Sequence, residues 1–155
     1  MSNAVLDRAT SIRKNDDPMN VIFAVLSDAA NVSQEGKLNI LGNFANISAS
    51  QFPALHPQMY LVLRLEASPP EVGKQKKVEV TILDADGGKI AAVSAEFEVP
   101  KPKAEGDMVQ MQTIISFQGI VFPKPGRYGV YVLIDGNTQV TIPLTLEDTS
   151  AKEGE

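Results

Sequence analysis

Four aspartates at predicted strand ends are the residues of this chain best suited by type and position to metal chemistry. Asp28 follows an apolar run, Asp84 and Asp86 lie in one predicted turn, and Asp135 lies in another. Loops at one end of a β-sandwich can gather such carboxylate oxygens into a calcium site of six to eight ligands. Aspartate is also a common turn-forming residue, so the sequence favours turns, with calcium binding as the alternative.

Residue types that carry out catalysis are scarce. The chain has no cysteine, which excludes a thiol nucleophile, a Cys-ligated zinc and an iron–sulfur cluster. Its single histidine, His56, is followed by Pro57, and no serine is set in a nucleophile elbow that His56 would serve. Glu96 and Glu98 share one face of a predicted strand, and we expect that face to be solvated. We therefore predict that the protein is not an enzyme and has no catalytic residue and no cofactor.

Charge and hydropathy narrow the classes of partner. The net charge of −5 opposes binding to nucleic acid, because affinity for a polyanion depends on Lys and Arg. The only basic cluster is Lys74, Lys76 and Lys77, which we expect to protect an exposed sheet edge. No apolar run approaches the roughly 18 residues that span a bilayer, and residues 1–20 lack the apolar segment of a signal peptide. A soluble, cytoplasmic protein without nucleic-acid or membrane partners is the expectation.

The elements that must position these residues are strands. Between residues 20 and 146 apolar residues recur at every second position, and turn residues interrupt them every 8–12 residues. About eight strands in hairpin order predict an all-β fold, an antiparallel β-sandwich that is immunoglobulin-like or related. A β-barrel is the alternative. We expect residues 1–19 to be a flexible arm and residues 147–155 an acidic, disordered tail.

Three residues mark irregularities in the predicted strands. The apolar alternation shifts near Gly42 and Gly119, which predicts a β-bulge at each. Pro143 lacks an N–H group for ladder pairing and predicts that the last strand lies at a sheet edge.

Some apolar side chains point outward if the alternation is extended to all strands. These residues are Tyr60, Val62, Leu83, Tyr131 and Leu133, with Leu41 as a further candidate. A patch of this kind is typical of a protein–protein contact. Sugar binding is disfavoured, since the chain has no Trp and few other aromatic residues. The sequence therefore predicts a non-catalytic protein-interaction or assembly module whose partner is a protein or a second copy. A sandwich that binds a small ligand or calcium is the alternative.

Four segments carry a family resemblance. They are VIFAVLSD at residues 21–28, GKLNILGNF at 36–44, QFPA at 51–54 and FPKPGRY at 122–128. In this order they resemble a family of small uncharacterised bacterial proteins over residues 20–146. The resemblance implies a bacterial β-sandwich and assigns no functional residue. Tyr128 in the last segment is also similar to the tyrosine near a strand start in immunoglobulin-like sandwiches.

Overall fold

The computed structural model describes residues 19–150, which form nine strands and one 3₁₀ turn at Pro69–Glu71. The strands are β1 (Met19–Val32), β2 (Leu38–Asn43), β3 (Asn46–Ala49), β4 (Ala54–Ala67), β5 (Gln75–Asp84), β6 (Lys89–Glu98), β7 (Val109–Phe122), β8 (Gly126–Ile134) and β9 (Asn137–Asp148). Over these residues no helix has the length and apolar character needed to cross a membrane.

The strands form two packed sheets. Sheet A has the order β2-β1-β4-β7, and sheet B has the order β3-β9-β8-β5-β6. The predicted all-β sandwich is confirmed, with nine strands rather than about eight. One pairing departs from the antiparallel prediction, because β3 runs parallel to β9. The first strand begins at Met19 and the last ends at Asp148, so residues 147 and 148 of the predicted tail are strand. The rest of the predicted arm and tail lies outside the described residues.

The core lies between the two sheets and follows from the two-residue period of the strands. Alternate residues of a strand point to opposite faces, so every second apolar residue enters the shared interior. Sheet A contributes an inner row on β4 and sheet B an inner row on β5, and each row is inaccessible to solvent. The fully buried members of these rows are Met59, Leu61, Leu63, Leu65, Val78, Val80 and Ile82.

The two predicted bulges are wrong, although both glycines are special. Gly42 and Gly119 adopt positive φ angles of 72° and 64°, yet the strand pairing keeps one register on both sides of each. Next to Gly119, β4 and β7 change their inward face together, so neither strand gains an extra residue. At Gly42 a Cβ atom would lie 2.5 Å from Oδ2 of Asp28, so a side chain is excluded there.

The prediction that Pro143 lies in an edge strand is wrong for the strand order. The immediate surroundings of Pro143 nevertheless resemble those of an edge. β9 lies between β3 and β8. However, β3 pairs only with residues 145–148 of β9, so among residues 19–150 no strand pairs with that flank of β9 at Pro143. The short β3 therefore leaves a site where a residue without an N–H group is tolerated.

Tyr128 closes the turn between β7 and β8. Its hydroxyl donates a hydrogen bond to the carbonyl oxygen of Lys124 at 2.6 Å, and its ring meets the edge of Phe122 at 5.1 Å between centroids. The side chain is buried. This geometry matches the tyrosine corner that the sequence suggested.

We expect Tyr128→Phe to lower the free energy of unfolding by about 1–2 kcal/mol, because the carbonyl of Lys124 loses a buried donor. Tyr131→Phe is the control, since the Tyr131 hydroxyl makes no hydrogen bond within the described part of the chain, and a change within about 0.5 kcal/mol is expected. Urea unfolding measures both. Equal losses for the two variants would contradict this role for Tyr128.

Candidate functional site

The four aspartates proposed for calcium do not meet. Asp84 ends β5 and Asp135 follows β8, and these neighbouring strands are antiparallel, so the two residues lie at opposite ends of sheet B. Asp86 stays with Asp84 in the β5–β6 turn, and Asp28 lies on β1 in sheet A. Within residues 19–150, no group of three or more His, Cys, Asp or Glu side chains is placed to hold a metal ion.

Two of these aspartates bind backbone groups. Oδ1 of Asp84 accepts hydrogen bonds from the N–H groups of Asp86 and Gly88, at 2.9 and 2.7 Å, so Asp84 organises its own turn, which is the favoured interpretation of the sequence. Oδ1 of Asp135 accepts one from the N–H of Lys77 at 2.9 Å, and the N–H of Asp135 donates to the carbonyl of Lys77 at 2.9 Å. The bonds of Asp135 therefore join the end of β8 to the neighbouring strand β5.

The basic cluster does not protect a sheet edge, so that prediction is wrong. β5 lies between β8 and β6 in sheet B, and Lys76 points into the sandwich rather than into solvent. Nζ of Lys76 lies 2.5 Å from Oε1 of Glu71 and 3.5 Å from Oδ2 of Asp135. Lys74 approaches the other oxygen of Glu71 at 3.2 Å. The side chains of Glu71 and Lys76 are both about nine-tenths buried, so the pair closes one end of the core.

The pKa shifts of this pair follow from its contacts. The hydrogen bond from Lys76 lowers the pKa of Glu71, and this effect outweighs burial, which raises it. Burial lowers the pKa of Lys76, but the hydrogen bond and charge of Glu71, together with Asp135, raise it by more. Both side chains are therefore held in their charged forms at neutral pH.

His56 lies on β4 against the ring of Phe44, with ring centroids 5.9 Å apart. Burial lowers the pKa of His56, while the charge of Asp28 opposes the shift. The Nε2 atom is buried and makes no hydrogen bond to any residue that the structure describes. His56 therefore packs against Phe44 near the start of β4.

The predicted interaction face is divided between the two sheets. Tyr60 and Val62 lie on β4 in sheet A, whereas Leu83, Tyr131 and Leu133 lie on β5 and β8 in sheet B. Since the outer faces of a sandwich point in opposite directions, these five residues do not form one patch.

The expected exposure of Val62 is wrong, because this side chain is 0% exposed. Val62 is nevertheless not part of the cluster between the sheets. On the outer face of sheet A it is paired with Val25 and Ile114. The loop between β1 and β2 also reaches this face, where the side-chain amide of Gln112 donates to the carbonyl of Gly36 at 3.2 Å. Val62 thus belongs to a second, smaller apolar layer outside the main core.

The predicted outward residues of sheet B, which are Leu83, Tyr131 and Leu133, are half-buried. Tyr131 and Leu133 stand opposite Thr81 and Glu79 on β5. The ring of Tyr131 lies over Gly129, where a Cβ atom would be only 2.8 Å from its nearest ring carbon. A glycine is therefore required at 129 to let the aromatic ring cover the sheet.

The exposed apolar surface lies elsewhere, on sheet A. In the described part of the chain the large hydrophobic residues that stay exposed are Val32, Ile40, Leu41, Leu55, Met108 and Val121. Five of them belong to the four strands of sheet A, and Met108 directly precedes β7. Leu41, the further candidate from the sequence, is 72% exposed.

Leu55 and Val121 form one exposed apolar pair at an end of sheet A. They stand directly opposite each other on β4 and β7 and are 64% and 50% exposed. Sequence reasoning missed both, because each lies beyond the change of face near Gly119 and Pro57, where simple alternation assigns the wrong side. An available signal was the complete absence of charge from residues 109–122.

We expect Glu71→Gln to lower the free energy of unfolding by about 2 kcal/mol at pH 7, since Lys76 would keep a buried charge with only Asp135 nearby. The pKa of Glu71 is lowered on folding, so its contribution is present above its ordinary value of 4.5 and is lost as the pH falls through the lowered value. The advantage of wild type over the variant should therefore shrink as the pH falls below 4.5. Urea unfolding at several pH values measures it.

Glu79→Gln is the matched control, because Glu79 faces Lys77 at 4.0 Å with both side chains 40% or more exposed. An exposed pair of this kind contributes less than about 1 kcal/mol. Equal effects of the two substitutions, or an advantage at Glu71 that is independent of pH, would contradict the assignment.

Two solved structures are similar to this chain. The C-terminal domain of wzt is similar with a TM-score of 0.52 and 13% sequence identity, over 96% of this chain and 87% of that one. At this identity the likeness concerns the fold alone. The Pseudomonas fluorescens alkylpurine DNA glycosylase AlkC, bound to DNA containing an abasic site analog, gives a TM-score of 0.49 and 15% identity over 84% of this chain. The chain spans only 30% of the glycosylase.

No curated protein matches the chain. A family model does match, over residues 22–147, and its description is a family of unknown function. The match spans most of the chain and confirms the expectation of a domain family without an assigned activity. The chain belongs to the family of unknown function DUF6941.

Proposed function

We propose that the domain is a non-catalytic protein-interaction module that binds its partner through sheet A. The observation that carries this proposal is the one-sided distribution of apolar surface. Every large hydrophobic residue that remains exposed among residues 19–150 lies on sheet A or directly before β7. Exposed apolar side chains gathered on one sheet of a folded protein are typical of an interaction site.

The arrangement of Leu55 and Val121 supports the same surface. The two side chains lie directly opposite each other and form one apolar pair across β4 and β7. Burial of a leucine side chain contributes about 1.5–3 kcal/mol. The neighbouring outward pair is Gln58 and Gln118, which are exposed and uncharged. An apolar centre beside polar, uncharged groups resembles the anatomy of a protein–protein interface.

The non-catalytic part of the proposal has its own support. The single histidine is packed against Phe44 with a lowered pKa, Asp84 binds backbone groups of its own turn, and Asp135 binds the backbone of β5. We further infer a cytoplasmic location in a bacterium. The absence of cysteine suits a reducing compartment, and the sequence resemblance suits a bacterial origin.

Site-specific photo-crosslinking in the source cell tests the surface. A photoreactive amino acid at Val121 should capture a protein, whereas the same group at Thr141 should not, because Thr141 is exposed on sheet B. Adding Leu55→Glu to the Val121 probe should reduce capture by at least about tenfold, because burial of a carboxylate in an apolar contact is unfavourable. Thr141→Glu is the matched charge control.

Circular dichroism and thermal unfolding of each variant establish that it is folded. Equal capture from Val121 and Thr141, or capture from Val121 that Leu55→Glu leaves unchanged, would contradict binding through sheet A.

A further inference from the structure

Strand β7 is the longest of the open sheet edges. The strands at the ends of the two sheets are β2, β7, β3 and β6, with 6, 14, 4 and 10 residues. β7 pairs only with β4 within the described residues, along the whole of 109–122. At roughly 3.3 Å per residue the strand is about 46 Å long, and β6 of sheet B approaches part of it.

This edge lacks the features that keep sheet edges from pairing. Natural edges are usually protected by Lys, by Pro or by a bulge. β7 contains no charged residue and no proline, and its register with β4 is unbroken at Gly119. In contrast, the edge strand β6 carries Lys89, Glu96 and Glu98. An unprotected edge presents a row of backbone donors and acceptors that another strand satisfies.

We propose that the partner at this edge is a second copy of the chain, docked by antiparallel pairing of β7 with β7 across a two-fold axis. This inference rests on the proposed function and names the occupant of the surface. In such a pairing each residue meets another residue of the same strand, and any charge on the strand would face a like charge. The complete neutrality of β7 removes that penalty, which matters for a chain with a net charge of −5.

The side chains of β7 suit self-pairing on both faces. On the outer face the exposed residues Gln110, Ser116 and Gln118 offer uncharged groups that both donate and accept hydrogen bonds. On the inner face Met111 and Thr113 are only half-buried at the edge of the sandwich. A second β7 beside them would extend both the sheet and the core.

The exposed apolar residues at the two ends of β7 point to the same arrangement. Met108 directly precedes the strand and is 38% exposed, and Val121 lies at its far end. Antiparallel pairing centred on residue 116 keeps the faces of the two copies in phase over residues 113–119, because β7 changes its inward face next to Gly119. Met108 and Val121 then flank the paired stretch at both ends.

A charge-swap experiment tests the pairing. Ser116 is exposed near the middle of β7, so in a symmetric pairing the two copies of residue 116 lie close to the axis. Wild type should show about twice the chain mass of 16.7 kDa in size-exclusion chromatography with light scattering. Ser116→Lys and Ser116→Glu should each give the single-chain mass, because like charges meet. An equimolar mixture of the two variants should recover the doubled mass.

Thr141→Lys on sheet B is the matched control and should keep the doubled mass. Hydrogen exchange of wild type provides a readout without substitution, since the amides of residues 109–122 should exchange more slowly at high protein concentration than at low concentration. Single-chain mass of wild type at all concentrations would overturn the pairing. So would a doubled mass that Ser116→Lys leaves intact.

The outcome separates this inference from the proposed function. A monomeric wild type that still crosslinks from Val121 to a different protein would overturn self-pairing and leave sheet A as the interaction surface. A dimer that depends on residue 116, in cells where Val121 captures only the same chain, would support both.

Discussion

Exclusion of water from the space between β4 and β5 is the constraint on which the rest of the structure depends. Each of these strands contributes an inner row of aliphatic side chains with no accessible surface. Burial contributes about 1.5–3 kcal/mol for each such side chain, and neither sheet can bury its row alone. The packing of the two rows therefore fixes which face of every neighbouring strand points inward, and with it the placement of the outward residues.

The two sheets enclose the core only between their inner faces. The ends and edges of the core therefore need separate contacts. At one end, Glu71 and Lys76 form an ion pair beside Asp135 that closes the interior with charged groups held in close contact. At the turn before β8, Tyr128 places its ring in the core and its hydroxyl on the backbone. These polar contacts let an apolar interior end without unsatisfied groups at those two places.

The edge strands of the two sheets differ in how they are protected from pairing with another strand. β6 carries charged side chains and β3 is only four residues long, whereas β7 offers a long neutral edge beside the exposed pair of Leu55 and Val121. The surface apolar residues and the open edge thus lie on the same sheet. A module that binds by extending sheet A needs both features together, since backbone pairing supplies affinity and the apolar side chains supply specificity.

The local sequence pattern determined the strands and the inward rows of β4, β5, β8 and β9. It also determined the turn-forming aspartates and the role of Tyr128. Both follow because alternation and turn chemistry are set by neighbours along the chain. Only the tertiary structure decided that Asp84 and Asp135 lie at opposite ends, that Lys76 is buried on an interior strand and that Val62 is covered. It also decided that Leu55 and Val121 form one exposed apolar pair. Strand order and coverage depend on pairings between residues far apart in sequence, and a period of two carries no information about which strand becomes the neighbour.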